Sequence, residues 1–519
     1  MTSAVSHKSR FEKYKDDTVI VKCEKYAYWT LPQLMADVEQ SNRGTSLALE
    51  RDYQEIGAML VNNLGAKLAG ILIPANVPFI KIEPSDNLKK SAENKGVSST
   101  DLSSGLARME MDASKRIFLN ASYNQIVQAL KLLIVTGNTL MHRDAKAKKT
   151  TAYGPRQYGI RRDGRGKMLD CVLKENVAFE ALSPETQTQL RAKYPSKFHA
   201  TCFDISLELY TRITCGYRGA NPVYVVTQEV EQLPVGEPSV YPEHLCPYMA
   251  PTWNLLAGEH YGRGLVEDMA GGFAKLSDLS EALALYGISA MKFINLVAPG
   301  QGANVDELQA AETGEYVQGQ KDSITVQETG DARKIDSMLA LLNNTFQNLS
   351  RAFMYTGQAR DSERTTAYEL KLAAAEANTV LGGQYSSLAE SLQVPLGHLL
   401  LTEVHPGTLE GIVSGDLKLD IIAGSAALGR AAGAQSLLAV AQSANAIAGV
   451  LLQVDPRISR TKLMDFLYSA ESVDASMFLM DKAEQAEYDK AREQEQQGNN
   501  QIAAAGDVAE QAAALQQLQ

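Results

Sequence analysis

Five cysteines among 519 residues stand in no paired spacing, and no CxxC occurs. Cys23, Cys171, Cys202, Cys215 and Cys246 therefore read as free thiols of a reducing compartment, which excludes a disulfide-stapled fold. No apolar run reaches the ~18 residues of a membrane span. The nearest, Leu437 to Val454, is broken by Gln442, Ser443 and Asn445, so it reads as a packed helix and no membrane insertion by this chain is expected. The opening TSAVSHKSRFEKYKDD lacks the apolar stretch of a secretion signal, which points to synthesis in a cytoplasm. Excess positive charge is missing too. At a net charge of -11, any contact with nucleic acid would need a local basic ring, or an acidic wall past which a polyanion slides.

Catalytic motifs are the next absence. GRGK at Gly164 to Lys167 suggests a phosphate loop, but Arg161 replaces the first required glycine and Met168 follows the lysine in place of Ser or Thr. HRDAKAKK from His142 has Lys149 where a kinase loop needs a metal-binding Asn. GEHYGRG contains His260 but no HExxH, no GxSxG occurs, and no histidine stands at metal-ligand spacing with cysteine. Neither catalysis nor a metal nor another cofactor is expected.

What is present is helix and sheet in blocks, an α+β chain that is mostly helical. Leu47, Tyr53, Ile56, Leu60, Leu64, Leu68 and Leu72 recur mostly three or four apart and predict a helix ended by Pro74 and Pro78. The polar NLKKSAENKGVSSTDLSSG predicts a loop, and a second helix is expected from about Leu106 to Thr136, before Gly137. Residues 138–250 are β-branched and aromatic, and Asp163-Gly164 predicts a hairpin turn. From Gly264 the pattern is helical again, with Leu276, Leu279, Leu283 and Tyr286 on one face. A Gly-rich, β-capable insert follows. Beyond it, Ile335, Leu339, Leu342, Phe346, Leu349 and Phe353 keep spacings of 4, 3, 4, 3 and 4, a seam narrower than a globular core face and suited to like neighbours. Residues 400–480 are Ala- and Leu-rich and read as a helical module. The Gln- and Ala-rich tail, 481–519, reads as disordered or as a helix supported by identical copies.

Three segments carry a resemblance: Val61 to Asp86 (VNNLGAKLAGILIPANVPFIKIEPSD), Trp253 to Leu283 (WNLLAGEHYGRGLVEDMAGGFAKLSDLSEAL) and Arg360 to Leu396 (RDSERTTAYELKLAAAEANTVLGGQYSSLAESLQVPL). In this order, with a helix–insert–helix between the last two, they resemble the portal, or head-to-tail connector, family of short-tailed double-stranded DNA bacteriophages. The resemblance implies a ring, usually of about twelve subunits, around an axial channel at one capsid vertex of the virion. Such a ring nucleates procapsid assembly, docks a packaging ATPase (the terminase), and passes double-stranded DNA in and out without sequence preference. It also binds major capsid, scaffolding and tail adaptor proteins. In these terms residues 1–262 would be the wing, with its β-rich part at 138–250, and 263–293 the first stem helix. Residues 294–330 would be the clip and 331–357 the second stem helix. Residues 358–399 would supply the tunnel loop and a long wing helix, 400–480 the crown, and the tail a possible helical barrel.

Candidate residues follow. Arg360 and Arg364 would line the channel and touch DNA phosphates, or pair with Asp361 and Glu363 on a solvated loop. Arg351, near the end of the second stem helix, is a further channel candidate, with a surface ion pair as its plainer role. Asp306, Glu307, Glu312, Glu315 and Asp322 would face a motor or tail partner from the clip, or simply solubilise it. Trp253 and Tyr261 would anchor the start of the stem by packing, with Gly262 and Gly264 in a tight turn. Residues 143–167 hold nine Lys or Arg against Asp144 and Asp163, which suits a solvated hairpin rim or a face for DNA or scaffold. The competing reading of the whole chain is a cytoplasmic helical adaptor without a channel.

Overall fold

The computed structural model describes residues 5–36, 50–75, 78–94, 99–198, 205–219, 221–290, 293–297, 306, 310, 324–328, 332–355, 383–408, 411 and 417–421. The chain divides into two compact units, Met1–Ala427 and Leu428–Gln519, and every described residue lies in the first.

Two apolar helices form the centre of the helical part. Helix α3 (Ile56–Leu72) follows α1 (His7–Tyr14) and α2 (Asp17–Trp29), and it packs on α6 (Ser122–Thr136). Leu60, Leu64 and Leu68 are fully buried on α3, as are Ile126, Leu130 and Leu133 on α6. Gly65 permits the close approach, because a Cβ there would sit 2.9 Å from Lys131 Cγ. Tyr53 lies outside α3 and is 59% exposed, since the Gln54 side chain stops the helix by accepting the Gly57 N–H at 2.7 Å.

Two expectations fail between these helices. The polar stretch predicted as a loop holds α4 (Asp86–Asn94) and the start of α5 (Ser99–Lys115). The stretch as a whole is Ser-rich, but Leu88, Lys89 and Lys90 open it with good helix formers, which sustain α4 with little apolar surface. The single helix expected from Leu106 to Thr136 is instead two. Asn120 and Ala121 adopt left-handed φ of 54° and 55°, which no continuous right-handed helix accommodates.

The β-rich part is antiparallel throughout. Strands β4 (Tyr158–Arg162), β5 (Met168–Ala178), β6 (Ser206–Arg218), β7 (Asn221–Val230) and β8 (Leu233–Pro242) follow one another in a five-stranded meander. The hairpin predicted at Asp163-Gly164 joins β4 to β5. A smaller sheet sets β2 (Leu140–Asp144) between β3 (Lys149–Tyr153) and β9 (Tyr248–Met249). Buried Asp170 on β5 accepts from Arg212 (3.0 and 2.8 Å), Thr214 (3.0 Å) and the Tyr14 hydroxyl (3.1 Å), which ties the N-terminal helices to the sheet.

Distant segments close the body. Strand β1 (Ile80–Pro84) pairs with β12 (Leu417–Ile421), from Ile80 against Ile421 to Pro84 against Leu417. Helix α12 (Val394–Val404), which continues α11 (Gly383–Leu388) through a π-helical turn at Ala389–Gln393, packs on α5. The Gln393 amide donates to the Leu72 carbonyl at the end of α3. The boundary drawn at residue 400 from composition therefore falls inside a helix belonging to this body.

Candidate functional site

Helices α9 (Ala270–Ala290) and α10 (Ala332–Ala352) pack on each other, and a two-stranded ladder of β10 (Phe293–Val297) with β11 (Ile324–Glu328) lies between them in sequence. At the base the apolar seam is covered. Phe273, Leu276 and Phe353 are fully buried, Leu349 is 2% exposed, and the Phe273 and Phe353 rings meet edge to face at 5.6 Å. Gly272 leaves just enough room, since a Cβ there would stand 3.0 Å from Leu349 Cδ2.

Further out the same seam loses its cover. Ile335, Leu342 and Phe346 are half-buried and Leu339 is 41% exposed. Leu285 (53%) and Ile288 (60%) on α9 and Leu341 (40%) on α10 are exposed as well. Large aliphatic side chains left exposed on one hairpin are candidates for cover by a partner. Arg351 is exposed near the end of α10.

The end of α10 is closed in a definite way. Tyr355 N–H donates to the Ser350 carbonyl at 2.8 Å and buried Met354 adopts φ 53°, the left-handed cap that glycine usually supplies. Lys67 of α3 donates to the Met354 carbonyl at 3.2 Å. At the start of the hairpin, Ser277 Oγ donates to Asp52 at 2.8 Å.

The segment before α9 is built on backbone crossing backbone. Gly137 ends α6 with φ 75°, and a Cβ on it would stand 2.3 Å from the Arg263 carbonyl carbon. A Cβ on Gly264 would lie 2.7 Å from the Ile134 carbonyl oxygen, and one on Gly262 2.9 Å from Thr252 Cβ. Asn138, 1% exposed, staples the crossing. Its amide donates to the Gly262 and Thr136 carbonyls, and its Oδ1 accepts the Gly262 N–H, all at 2.7 Å. Trp253 is buried with its N–H on the Gly137 carbonyl at 3.0 Å. The Tyr261 hydroxyl reaches the Tyr14 carbonyl at 3.1 Å. Asn138 was not singled out from sequence. Its one signal was its place directly after a glycine that ends a helix.

The basic segment splits into buried and exposed cations. Arg143 is 2% exposed, paired with Glu403 at 2.8 Å and also donating to Ser122 and Thr150. Arg162, 8% exposed, donates to the carbonyls of His260, Gly166 and Ala250 at 3.0, 2.9 and 2.8 Å. A solvated rim does not describe these two; they tie strands and loops together from inside. Lys167 pairs with Glu243 and Arg156 with Glu24. Lys146, Lys148, Lys149, Arg161 and Arg165 stay exposed.

Arg360 and Arg364 lie outside the described residues, as do Glu307, Glu312, Glu315 and Asp322, while Asp306 is exposed. Cys23 and Cys246 are free and buried, which pushes both thiols up to about 12, and Cys171 rises further for the same reason. None of these three is poised as a nucleophile. Among the described residues no group of three or more acidic, His or Cys side chains could hold a metal, and no helix is long and apolar enough to cross a membrane.

Comparison with known proteins supplies the family. Residues 7–479 match the model of the bacteriophage head to tail connecting protein. The portal protein of Pseudomonas phage phiKMV is 41% identical over 487 residues, 93% of this chain and 94% of its own. That of Enterobacteria phage SP6 is 29% identical over 435 residues, 83% and 81% of the two chains. Among solved structures, a chain from the virion of a native gene transfer agent particle aligns with a TM-score of 0.37 and 9% identity, covering 79% of this chain and 89% of that one. The family-model match and the phiKMV relative each span nearly the whole molecule, and on them the chain belongs to the bacteriophage head to tail connecting protein family.

Proposed function

We propose that this chain is a portal subunit that closes with identical copies into a ring, of about twelve by analogy with the family, around an axial DNA channel. The observation that carries the reading is the uncovered outer part of the α9–α10 hairpin, with Leu285, Ile288, Leu339 and Leu341 on its surface. Each such side chain is about half exposed already, so covering it would gain roughly half of the ~1.5–3 kcal/mol of full burial, and a heterologous contact repeated around an axis would do so in every copy. The hairpin would be the stem, with the base at Phe273 and Phe353 anchored to the wing. The β10–β11 region would be the clip. There Asp306, Glu307, Glu312, Glu315 and Asp322 would meet the packaging ATPase during filling and tail adaptors afterwards.

Such a ring acts without chemistry of its own. It would sit at one vertex of the virion, nucleate the procapsid with capsid and scaffolding proteins, and pass double-stranded DNA inward and later outward. Arg351, Arg360 and Arg364 would touch phosphates weakly, so that DNA slides. The relatives' name, portal protein, supports this reading. The deciding experiment is negative-stain microscopy with mass photometry of the purified full-length chain. End views of rings with a central hole are expected; a monomer or dimer at micromolar concentration and physiological salt overturns the proposal.

A further inference from the structure

Away from the hairpin, two loops meet and leave a surface of mixed character. One runs from Arg116 to Ala121, between α5 and α6; the other is the turn from Asp144 to Lys149, between β2 and β3. Asn120 donates its side-chain amide to the Ala147 carbonyl at 3.1 Å, Ser122 Oγ donates to the Lys148 carbonyl at 3.5 Å, and Thr150 N–H donates to Ser122 Oγ at 3.2 Å. Asn120, Ala121 and Lys148 all adopt left-handed φ, near 54°, 55° and 53°. These bonds and dihedrals fix both loops before any partner arrives, which lowers the entropy cost of binding.

Among the described residues, the side chains on this surface lack partners in two respects. Phe118 is 38% and Leu119 49% exposed, and the Phe118 ring is steadied by stacking on Tyr123 at 5.1 Å. Around them stand Arg116, Lys146, Lys148 and Lys149, none of which makes an ion pair with any described residue. Asp144 is the one carboxylate of this turn, its Oδ1 accepting the backbone N–H groups of Lys146 and Ala147 at 2.8 and 3.1 Å, so a single negative charge stands against the four cations. Elsewhere the exposed cations are mixed: Lys8 finds Glu208 at 3.0 Å and Lys197 finds Glu231 at 2.7 Å, while Arg161 and Arg165 make no ion pair with a described residue.

We propose that this surface docks an acidic, amphipathic helix-forming segment of another protein. Four cations call for carboxylates, and the Phe118–Leu119 pair calls for an apolar face beside them. Duplex DNA would satisfy the cations but leave the two large apolar side chains facing a polar backbone, so the peptide is the better-fitting occupant. The inference stands independently of ring formation.

The test uses fluorescence anisotropy with the full-length chain. The probe is a fluorescein-labelled helical peptide about four turns long, with Leu on one face and Glu on the other. Two variants are compared, Lys146→Gln/Lys148→Gln/Lys149→Gln and Phe118→Ser/Leu119→Ser, each first shown to melt as the parent does. Each is expected to weaken binding ~tenfold or more, as is replacing the peptide's Glu by Gln. Unchanged affinity in either variant overturns the proposal. So does a short DNA duplex that displaces the peptide and binds the Phe118→Ser/Leu119→Ser variant as tightly as the parent, which would make this a nucleic-acid surface.

Discussion

Arg143 and Glu403, 260 residues apart in the chain, meet at 2.8 Å with side chains 1% and 7% exposed. The pair joins the β2 strand to α12 and so fastens the late helix onto the early sheet. Removing one partner strands a buried charge. Glu403→Gln or Arg143→Met should each cost about 3–5 kcal/mol, and the double variant less than their sum. Urea denaturation of the three variants measures this directly.

The glycine crossing before α9 has no slack. Gly264→Ala places a Cβ 2.7 Å from the Ile134 carbonyl oxygen. A loss of about 1–3 kcal/mol is expected, seen as a lower urea midpoint with an unchanged slope. Gly271→Ala, where a Cβ meets nothing within 4 Å, is the matched control and should be neutral or slightly stabilising.

Polar replacements on the outer hairpin separate folding from assembly. Leu285→Ser with Ile288→Ser changes two side chains already 53% and 60% exposed, so the fold should hold. Ring yield should fall ~tenfold or more by mass photometry if these positions meet a neighbouring copy. Unchanged rings would place the subunit contact elsewhere.

Acid should loosen α12. His398 is lowered to about 4, first by burial and then by the nearby His244, whose ring centre is 5.7 Å away. His244 Nε2 and His398 Nδ1 are buried without hydrogen-bond partners. The folded state therefore binds the His398 proton less readily than the unfolded chain. This contribution is whole above about pH 6.5 and is lost as pH falls from there towards 4, with a slope of at most about 1.4 kcal/mol per pH unit. His398→Asn should flatten the dependence of melting temperature on pH across that window.

Arg364→Glu tests the proposed channel role. Particles carrying it should form rings normally but package or retain roughly tenfold less DNA, because a carboxylate would repel passing phosphate. Quantifying genome content per particle checks this, and normal yield removes Arg364 from the role.

Periodicity made the long elements legible. The Leu60, Leu64, Leu68 row and the Ile335 to Phe353 seam announced α3 and α10, and Asp163-Gly164 announced the hairpin. Polar helices such as α4 were hidden, because they bury little and so leave no apolar period. The break at Asn120 was hidden too, since left-handed residues other than glycine leave only a faint mark. Of the site, Gly262 and Gly264 were visible as a turn, but Gly262's partner Asn138 comes from 124 residues earlier and is marked locally only by following a helix-ending glycine. Charge density at residues 143–167 was plain, yet it could not tell buried Arg143 and Arg162 from exposed Lys146. Burial there depends on Glu403 and on the carbonyls of a distant loop.

The pairing of Ile80–Pro84 with Leu417–Ile421 also sets an order in time. A ribosome adding about 5–20 residues each second needs roughly twenty seconds to a minute to travel from the first strand to the second. Throughout that interval the early strand has no mate, while both helices of the hairpin emerge with their oily side chains already on display. On the proposed stem contact, nascent chains on one polysome would meet through their hairpins before any body is finished. Slowing translation between the two strands should raise the aggregated fraction, whereas supplying a peptide of Leu417–Ile421 during synthesis should lower it.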